Sequence, residues 1–252
     1  MSEKQQSSRG RLYQYVAEKL AESITSGEFL AGTRLPAERK LAERYDVSRP
    51  TIREAIIALE LAGCVEVKAG SGVYVTDSTD AGFKSSEMDI GPFEILQARI
   101  LIEGEAAGLA ARLIDDSEIE ELKIVLQEMV EENETDSVTE SADEKFHLLI
   151  AKATRNEAIV SVCEHLWRLR NNSSISARIL EKVRGTGSKP RIDEHQDILE
   201  ALTKRDPEGA RLAMRDHLNR VIKQLLDATE AEAVEAARRQ VERDRERFDF
   251  AS

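Results

Sequence analysis

Asp143 and His147 stand four residues apart in a stretch that reads as helix, so their side chains project from one face. His195 opens a later helical stretch, and His217 lies on a further one. One carboxylate and three imidazoles suit a first-row divalent ion such as zinc, with coordination positions left open. Such a set converges only if a helical bundle folds around it. Spacing alone leaves an ordinary alternative, because an Asp/His pair at i, i+4 is more often a hydrogen-bonded pair on a helix surface. The fourth histidine, His165, has no partner in this pattern and reads as a helix residue beside Trp167. Cys64 and Cys163 are far apart, which excludes a disulfide framework, and Cys163 reads as a small core residue.

A second chemistry is written in the stretch from Arg34 to Val75, RLPAERKLAERYDVSRPTIREAIIALELAGCVEVKAGSGVYV. Pro36 opens a short helix, Glu38 to about Tyr45, and Asp46-Val47 makes a tight turn. Ser48 is placed to cap the next helix through its hydroxyl, and Pro50 sits in the first turn, where no N–H is needed. Ile52, Ala55, Ile56 and Leu59 recur at helical spacing as a buried face. Arg49, Thr51 and Arg53 fall on the other side near the N-terminal end, where a recognition helix needs hydrogen-bond donors for the major groove. Val65 to Lys68 and Val73 to Val75 alternate around a glycine turn and read as a two-stranded wing. The chemistry expected is DNA reading by a winged helix-turn-helix. Arg39, Arg49 and Arg53 contact bases or phosphates in this reading, while Ser48, Thr51, Gly70, Ser71 and Gly72 position the backbone.

The remaining elements must hold these two sites in place. Leu12 to about Ser26 carries Leu12, Val16, Leu20 and Ile24 at helical spacing and packs behind the reading helices. Residues 1–10 are polar and read as disordered. Asp77 to Met88 is small and polar, a linker closed by Gly91-Pro92. Residues 93 to about 227 contain no convincing strand. Phe93, Leu96, Ile100, Glu103, Ala107 and Ala110 trace a helix. Helices follow over Asp116–Glu132, with Leu122, Val125 and Met129 inward, and over Ser137–Thr154, with Phe146, Leu149 and Ile150 inward. Asn156 caps a helix with Ile159, Val162, Leu166 and Leu169. Arg184 to Pro190 reads as a loop, and Ile192–Lys204 and Pro207 to about Leu226 end the core. The fold class is mainly α: residues 1–76 a winged helix-turn-helix, 77–91 a linker, 92–227 an all-helical bundle of six or seven helices, and 228–252 a charged helical or disordered tail.

The elements LPAER, VSRPTIREA and GSG give the first region its family resemblance. It resembles the DNA-binding domain of GntR-type bacterial transcription regulators, with Asp46 where the usual pattern has Gly; Asp tolerates a left-handed backbone better than most residues. The later segments D143EKFH147, H195QDILEA201 and A210RLAMRDH217 resemble the effector domain of the FadR-like branch, called the FCD domain. That resemblance implies that Asp143, His147, His195 and His217 hold a divalent metal, zinc above others. GPFEILQARILIE, HLWRLRNNS and DEHQDILEALTKRDPEGARLAMRDHL further resemble hexuronate-utilisation repressors, which implies a sugar acid as effector.

A metal with open positions beside a helical cavity suits a small carboxylate. Arg99, Arg168 and Asn172 are candidates for the cavity wall, the arginines as bidentate clamps, against the plainer reading of surface salt bridges. The formal charge is −12 overall, yet residues 1–76 hold eleven Lys and Arg against ten Asp and Glu. Phosphate affinity is local, so a near-neutral reader still fits DNA, but weakly, and two copies on a homodimer are expected to bind double-stranded operator DNA. No apolar run approaches the length of a membrane span, and a cytoplasmic, non-enzymatic regulator is expected. Two other readings stand beside it. One is a metal-dependent hydrolase on a DNA tether, with Glu144 or Glu194 as base; the other is a sensor of the metal itself.

Overall fold

The computed structural model describes residues 12–68, 71–77, 90–134, 140–185 and 190–248. The expected disorder of residues 1–10, most of the linker, Gly70 and the start of the Ser137–Thr154 helix lie outside the described residues, as do the side chains of residues 228–248. The chain divides into two compact units, residues 1–91 with 226–252, and residues 92–225.

In the first unit α1 (Leu12–Thr25), α2 (Glu38–Tyr45), α3 (Arg49–Leu61), β1 (Val65–Lys68) and β2 (Gly72–Val75) follow in order. α2 ends at Asp46 in the left-handed region, φ 52° and ψ 50°, with its N–H returning to Ala42 O. Asp fills this position in place of Gly because its short side chain tolerates the conformation. Ser48 then caps α3, its Oγ accepting from Thr51 N at 3.3 Å. β1 and β2 pair antiparallel, Val65 opposite Val75 and Lys68 opposite Gly72.

The wing has a third limb that sequence periodicity did not reveal. Gly32 N donates to Val75 O at 2.8 Å, Val75 N to Thr33 O at 3.0 Å and Leu35 N to Val73 O at 2.8 Å. These bonds fix the segment before α2 against β2. Gly72 sits at φ 117°, which L side chains rarely adopt, so glycine is favoured there; a Cβ would also have to displace the Arg34 guanidinium. The buried side of α1 is Tyr13, Val16, Ala17 and Leu20. Leu12, expected on that side, is exposed, because it is the first residue of the helix.

Among the described residues the second unit contains α4 (Pro92–Leu113), α5 (Asp116–Glu134), α6 (Ser141–Ala153), α7 (Glu157–Asn172), α8 (Ser174–Gly185), α9 (Ile192–Thr203) and the part of α10 (Pro207–Phe248) that precedes residue 226. The backbone of α10 continues as helix through the stretch read as a tail. Asn156 caps α7, its Oδ1 accepting from Ala158 N and Ile159 N. Phe146, Trp167, Leu122, Met129, Ile150, Ile175 and Ile179 are fully buried and form the centre of the bundle. On α4, Gly108 allows close approach, since a Cβ would stand 3.0 Å from Pro207 O at the start of α10.

Two expectations are corrected here. α7 buries Val160, Cys163, Leu166 and Trp167, and Val162 is exposed. The large indole decides which side of the helix turns inward. Beyond Asn172 the chain breaks at Ser173, in extended conformation, and α8 begins. This helix was not separated from its neighbour in the sequence, and it includes Arg184 and Gly185, which had read as loop.

Candidate metal centre and nucleic-acid interface

α6 carries Asp143 in its first turn and His147 one turn on. His195 comes from the first turn of α9 and His217 from α10. All four side chains are buried, and their ligating atoms lie within 4.8 Å of one another. Two ligands on opposite sides of a first-row ion stand about 4 Å apart, so the quartet needs to close only slightly to share one ion.

The outer contacts decide which atoms face inward. His147 Nδ1 is 2.6 Å from Glu103 Oε2. His195 Nδ1 is 2.8 Å from the Arg191 carbonyl, and His217 Nδ1 is 3.0 Å from Glu194 Oε2. Each outer group is an acceptor, so each Nδ1 carries the proton and each Nε2 keeps its lone pair for the centre. Metal-bound histidines are held in this way by carboxylates and carbonyls. His147 Nε2 is buried with no hydrogen-bond partner, and His195 Nε2 stands 2.9 Å from Asp143 Oδ1. Two acceptors at that distance need a proton or a cation between them. The donor set and its orphaned nitrogen therefore fit a divalent metal.

The electrostatics agree. Burial alone would raise the Asp143 carboxyl, but the His195 hydrogen bond and the three imidazoles outweigh it and hold the group well below the usual carboxylate range. Burial pushes His217 well below its ordinary value, helped by repulsion from His195 and His147. Burial likewise lowers His147, against the pull of Glu103. An ionised Asp143 with His147 and His217 held toward their neutral forms is the state in which such groups ligate.

Behind His147 the support is rigid. Burial would raise Glu103, yet Arg99 and His147 bring it down to about 2. Arg99 donates to both Glu103 oxygens, at 2.7 and 3.2 Å, and its guanidinium lies 4.0 Å from the centre of the Trp167 ring. Sequence reasoning placed Glu103 one turn after Arg99 on the first bundle helix but gave it no role at the site.

A cavity of about 80 Å³ adjoins the quartet, with Arg99, Asp143 and His217 in its lining. Of the expected wall residues, Arg99 is therefore present. Arg168 and Asn172 are exposed and do not line it. Arg168 is one residue past Trp167 and so about 100° around the helix; it hydrogen-bonds His165 instead. Asn172, five residues past Trp167, is likewise turned away. Arg170 lines the cavity instead, three residues past Trp167 and 4.9 Å from its ring. Arg191, Arg220 and Ser176 also line it and were missed. Glu144 and Glu194, the bases a hydrolase would need, are engaged by Asn171 and by His217 Nδ1.

In the first unit, Arg39 has a side chain 76% exposed, paired at 3.0 Å with Glu43. Arg49 is half-exposed at the start of α3, 4.0 Å from Glu38. Thr51 shares a 2.8 Å hydrogen bond with the Ser48 hydroxyl, and Ser71 hydrogen-bonds Tyr74 OH within the wing. Arg53 is not on the open side of α3: its side chain is 5% exposed and donates to Glu38 at 2.9 Å. It lies at the edge of the buried stripe, and Glu38 on α2 compensates its charge there.

Comparison with known proteins accounts for both units. Residues 12–75 match "Bacterial regulatory proteins, gntR family", and residues 94–220 match "FCD domain". The chain is 37% identical to the Uxu operon regulator of Haemophilus influenzae, over 88% of this chain and 85% of that protein. It is 38% identical to the Exu regulon transcriptional regulator of Escherichia coli K12, over 82% of each. It is also 38% identical to the Uxu operon transcriptional regulator of the same strain, over 89% of this chain and 90% of the other.

Proposed function

The chain belongs to the GntR family of bacterial regulatory proteins, with an FCD domain as its second module, and on that premise we propose a cytoplasmic repressor of hexuronate catabolism that a small carboxylate releases from its operator. The resemblance to Uxu and Exu regulators supports the sugar-acid class. The observation that carries the reading is the buried quartet of Asp143, His147, His195 and His217 beside a cavity.

Those four residues hold the metal, zinc by the nitrogen-rich donor set. When bound there, a divalent ion would supply a Lewis-acid anchor for a carboxylate. Glu103, the Arg191 carbonyl and Glu194 hold the imidazoles in register for it. Arg99 keeps Glu103 in place and contributes positive charge to the cavity wall. The effector acts only through its differential affinity for the two arrangements of a homodimer, DNA-bound and released. In the reader, Arg39 and Arg49 reach bases or phosphates, with guanine the favoured target of a bidentate Arg. Ser48 and Thr51 fix the start of the recognition helix, Ser71 and Gly72 shape the wing, and Arg53, braced by Glu38, sits at the edge of the contact. The protein returns its sugar acid unchanged and is not an enzyme.

A thermal-shift screen of sugar acids on zinc-loaded protein, with and without chelator, tests this. A melting shift that vanishes on chelation and in His195→Ala supports the reading. A shift that survives both removes the metal from effector binding.

A further inference from the structure

α8, the helix that the sequence did not separate, brings an unassigned polar group into the cavity. Ser176, Leu180 and Val183 on this helix line the space that also holds Asp143 and His217. Their spacing places them on one side of the helix. Ser176 is 2% exposed, and its Oγ has no hydrogen-bond partner. The position is well fixed: Ser173 Oγ caps the helix by accepting from Ser176 N at 3.1 Å. Buried side-chain hydroxyls are nearly always paired, because an orphaned one keeps its full desolvation cost.

The arginines facing the cavity each lie against an acidic side chain. Arg99 is engaged by Glu103, Arg170 by Glu140, Arg191 by Asp193 and Arg220 by Glu194. Leu180, Val183, Val221 and Leu225 present apolar side chains. An uncharged oxygen entering this space meets the unpaired, fully buried Ser176 hydroxyl, with the half-buried Gln224 amide the other uncharged polar side chain in the lining.

We propose that Ser176 is a specificity-determining residue of the effector cavity. Its Oγ–H hydrogen-bonds a hydroxyl or carbonyl oxygen of the effector, away from the carboxylate, so that hydroxylated acids are held in preference to plain ones. This rests on the reading that the cavity takes a small carboxylate beside the metal quartet. A site built to bind a hydroxyl rejects the analogue that lacks it, because the site's own polar group is then left unpaired.

The test is calorimetric titration of zinc-loaded full-length protein and of its Ser176→Ala and Ser176→Thr variants with three probes: D-galacturonate, 3-hydroxybutanoate and butanoate. Ser176→Ala is expected to weaken the two hydroxylated acids about tenfold, the worth of one hydrogen bond, and to leave butanoate unchanged. Ser176→Thr, which keeps the hydroxyl, is expected to restore most of the preference. Without ligand, Ser176→Ala is expected to melt at or above the wild-type temperature, since it removes an unpaired polar group. Equal weakening of all three probes, or none, overturns the assignment, as does a lowered melting temperature in the ligand-free alanine variant, which marks a structural role. Silence of D-galacturonate with 3-hydroxybutanoate still favoured, and that preference lost in Ser176→Ala, removes the sugar-acid reading and supports Ser176. No binding of any probe by the wild type overturns both.

Discussion

The two units carry their chemistry in opposite ways. The reader's site is contiguous: Arg39, Ser48, Arg49 and Thr51 fall within thirteen positions of the chain, and its charges are largely open to solvent. The bundle's candidate site is assembled from α6, α9 and α10, and all four of its side chains that could hold a metal are buried. An exposed arginine can change its partner without disturbing the fold. A buried imidazole cannot, so the bundle's site is tied to the stability of the domain that holds it. On the proposed function, the first site makes a reversible contact with phosphate and base, and the second couples an ion and a small anion to the packing of the bundle.

This contrast sets the expected effects. Arg49→Ala should lower operator affinity about ten- to hundredfold at matched salt and leave zinc affinity unchanged, measured by fluorescence anisotropy and chelator competition. A loss in both would mean that the two sites are not separable. Glu194→Gln should weaken zinc by about tenfold, because it loosens the acceptor on His217 Nδ1, while operator affinity without effector stays the same. Unchanged zinc affinity would reduce Glu194 to a surface ion-pair partner of Arg220.

A smaller effect concerns pH. In metal-free protein His147 and His217 have folded-state pKa values below the ordinary 6.5, mainly through burial. The unfolded chain takes up protons near pH 6.5 that the folded one refuses, so stability present at higher pH is lost as pH falls through that value and below. The melting temperature of the bundle should drop between about pH 7.5 and 5.5 by a few degrees, with the zinc-loaded form less affected. A flat profile for the metal-free form would show imidazoles that titrate as if exposed.

Much of the reader was legible because its signals are local. Ser48, Pro50 and the αL-tolerant Asp46 each specify backbone within a few residues, and the helices and wing follow at the expected positions. The edge of a buried stripe is less legible. Whether Arg53 points in or out depends on Glu38, fifteen residues earlier, which meets it only in the fold. In the bundle, the shared face of Asp143 and His147 follows from helical spacing, but convergence with His195 and His217 came from family resemblance. The cavity wall was read less well. Adjacency to Trp167 suggested Arg168, whereas three residues on the helix, not one, bring a side chain back beside the ring, and Arg170 is there. Ser176 was invisible because the break at Ser173 is one extended residue between two helices, with neither Gly nor Pro to mark it.

The central claim, that the buried quartet decides when the reader is occupied, is tested most directly by operator release. Wild type and His195→Ala are each bound to a duplex selected from a random pool, then titrated with hexuronate. The account predicts that the sugar acid releases zinc-loaded wild type, while His195→Ala binds the duplex equally well and stays bound at every concentration. Release of His195→Ala at the same hexuronate concentration as wild type would contradict it.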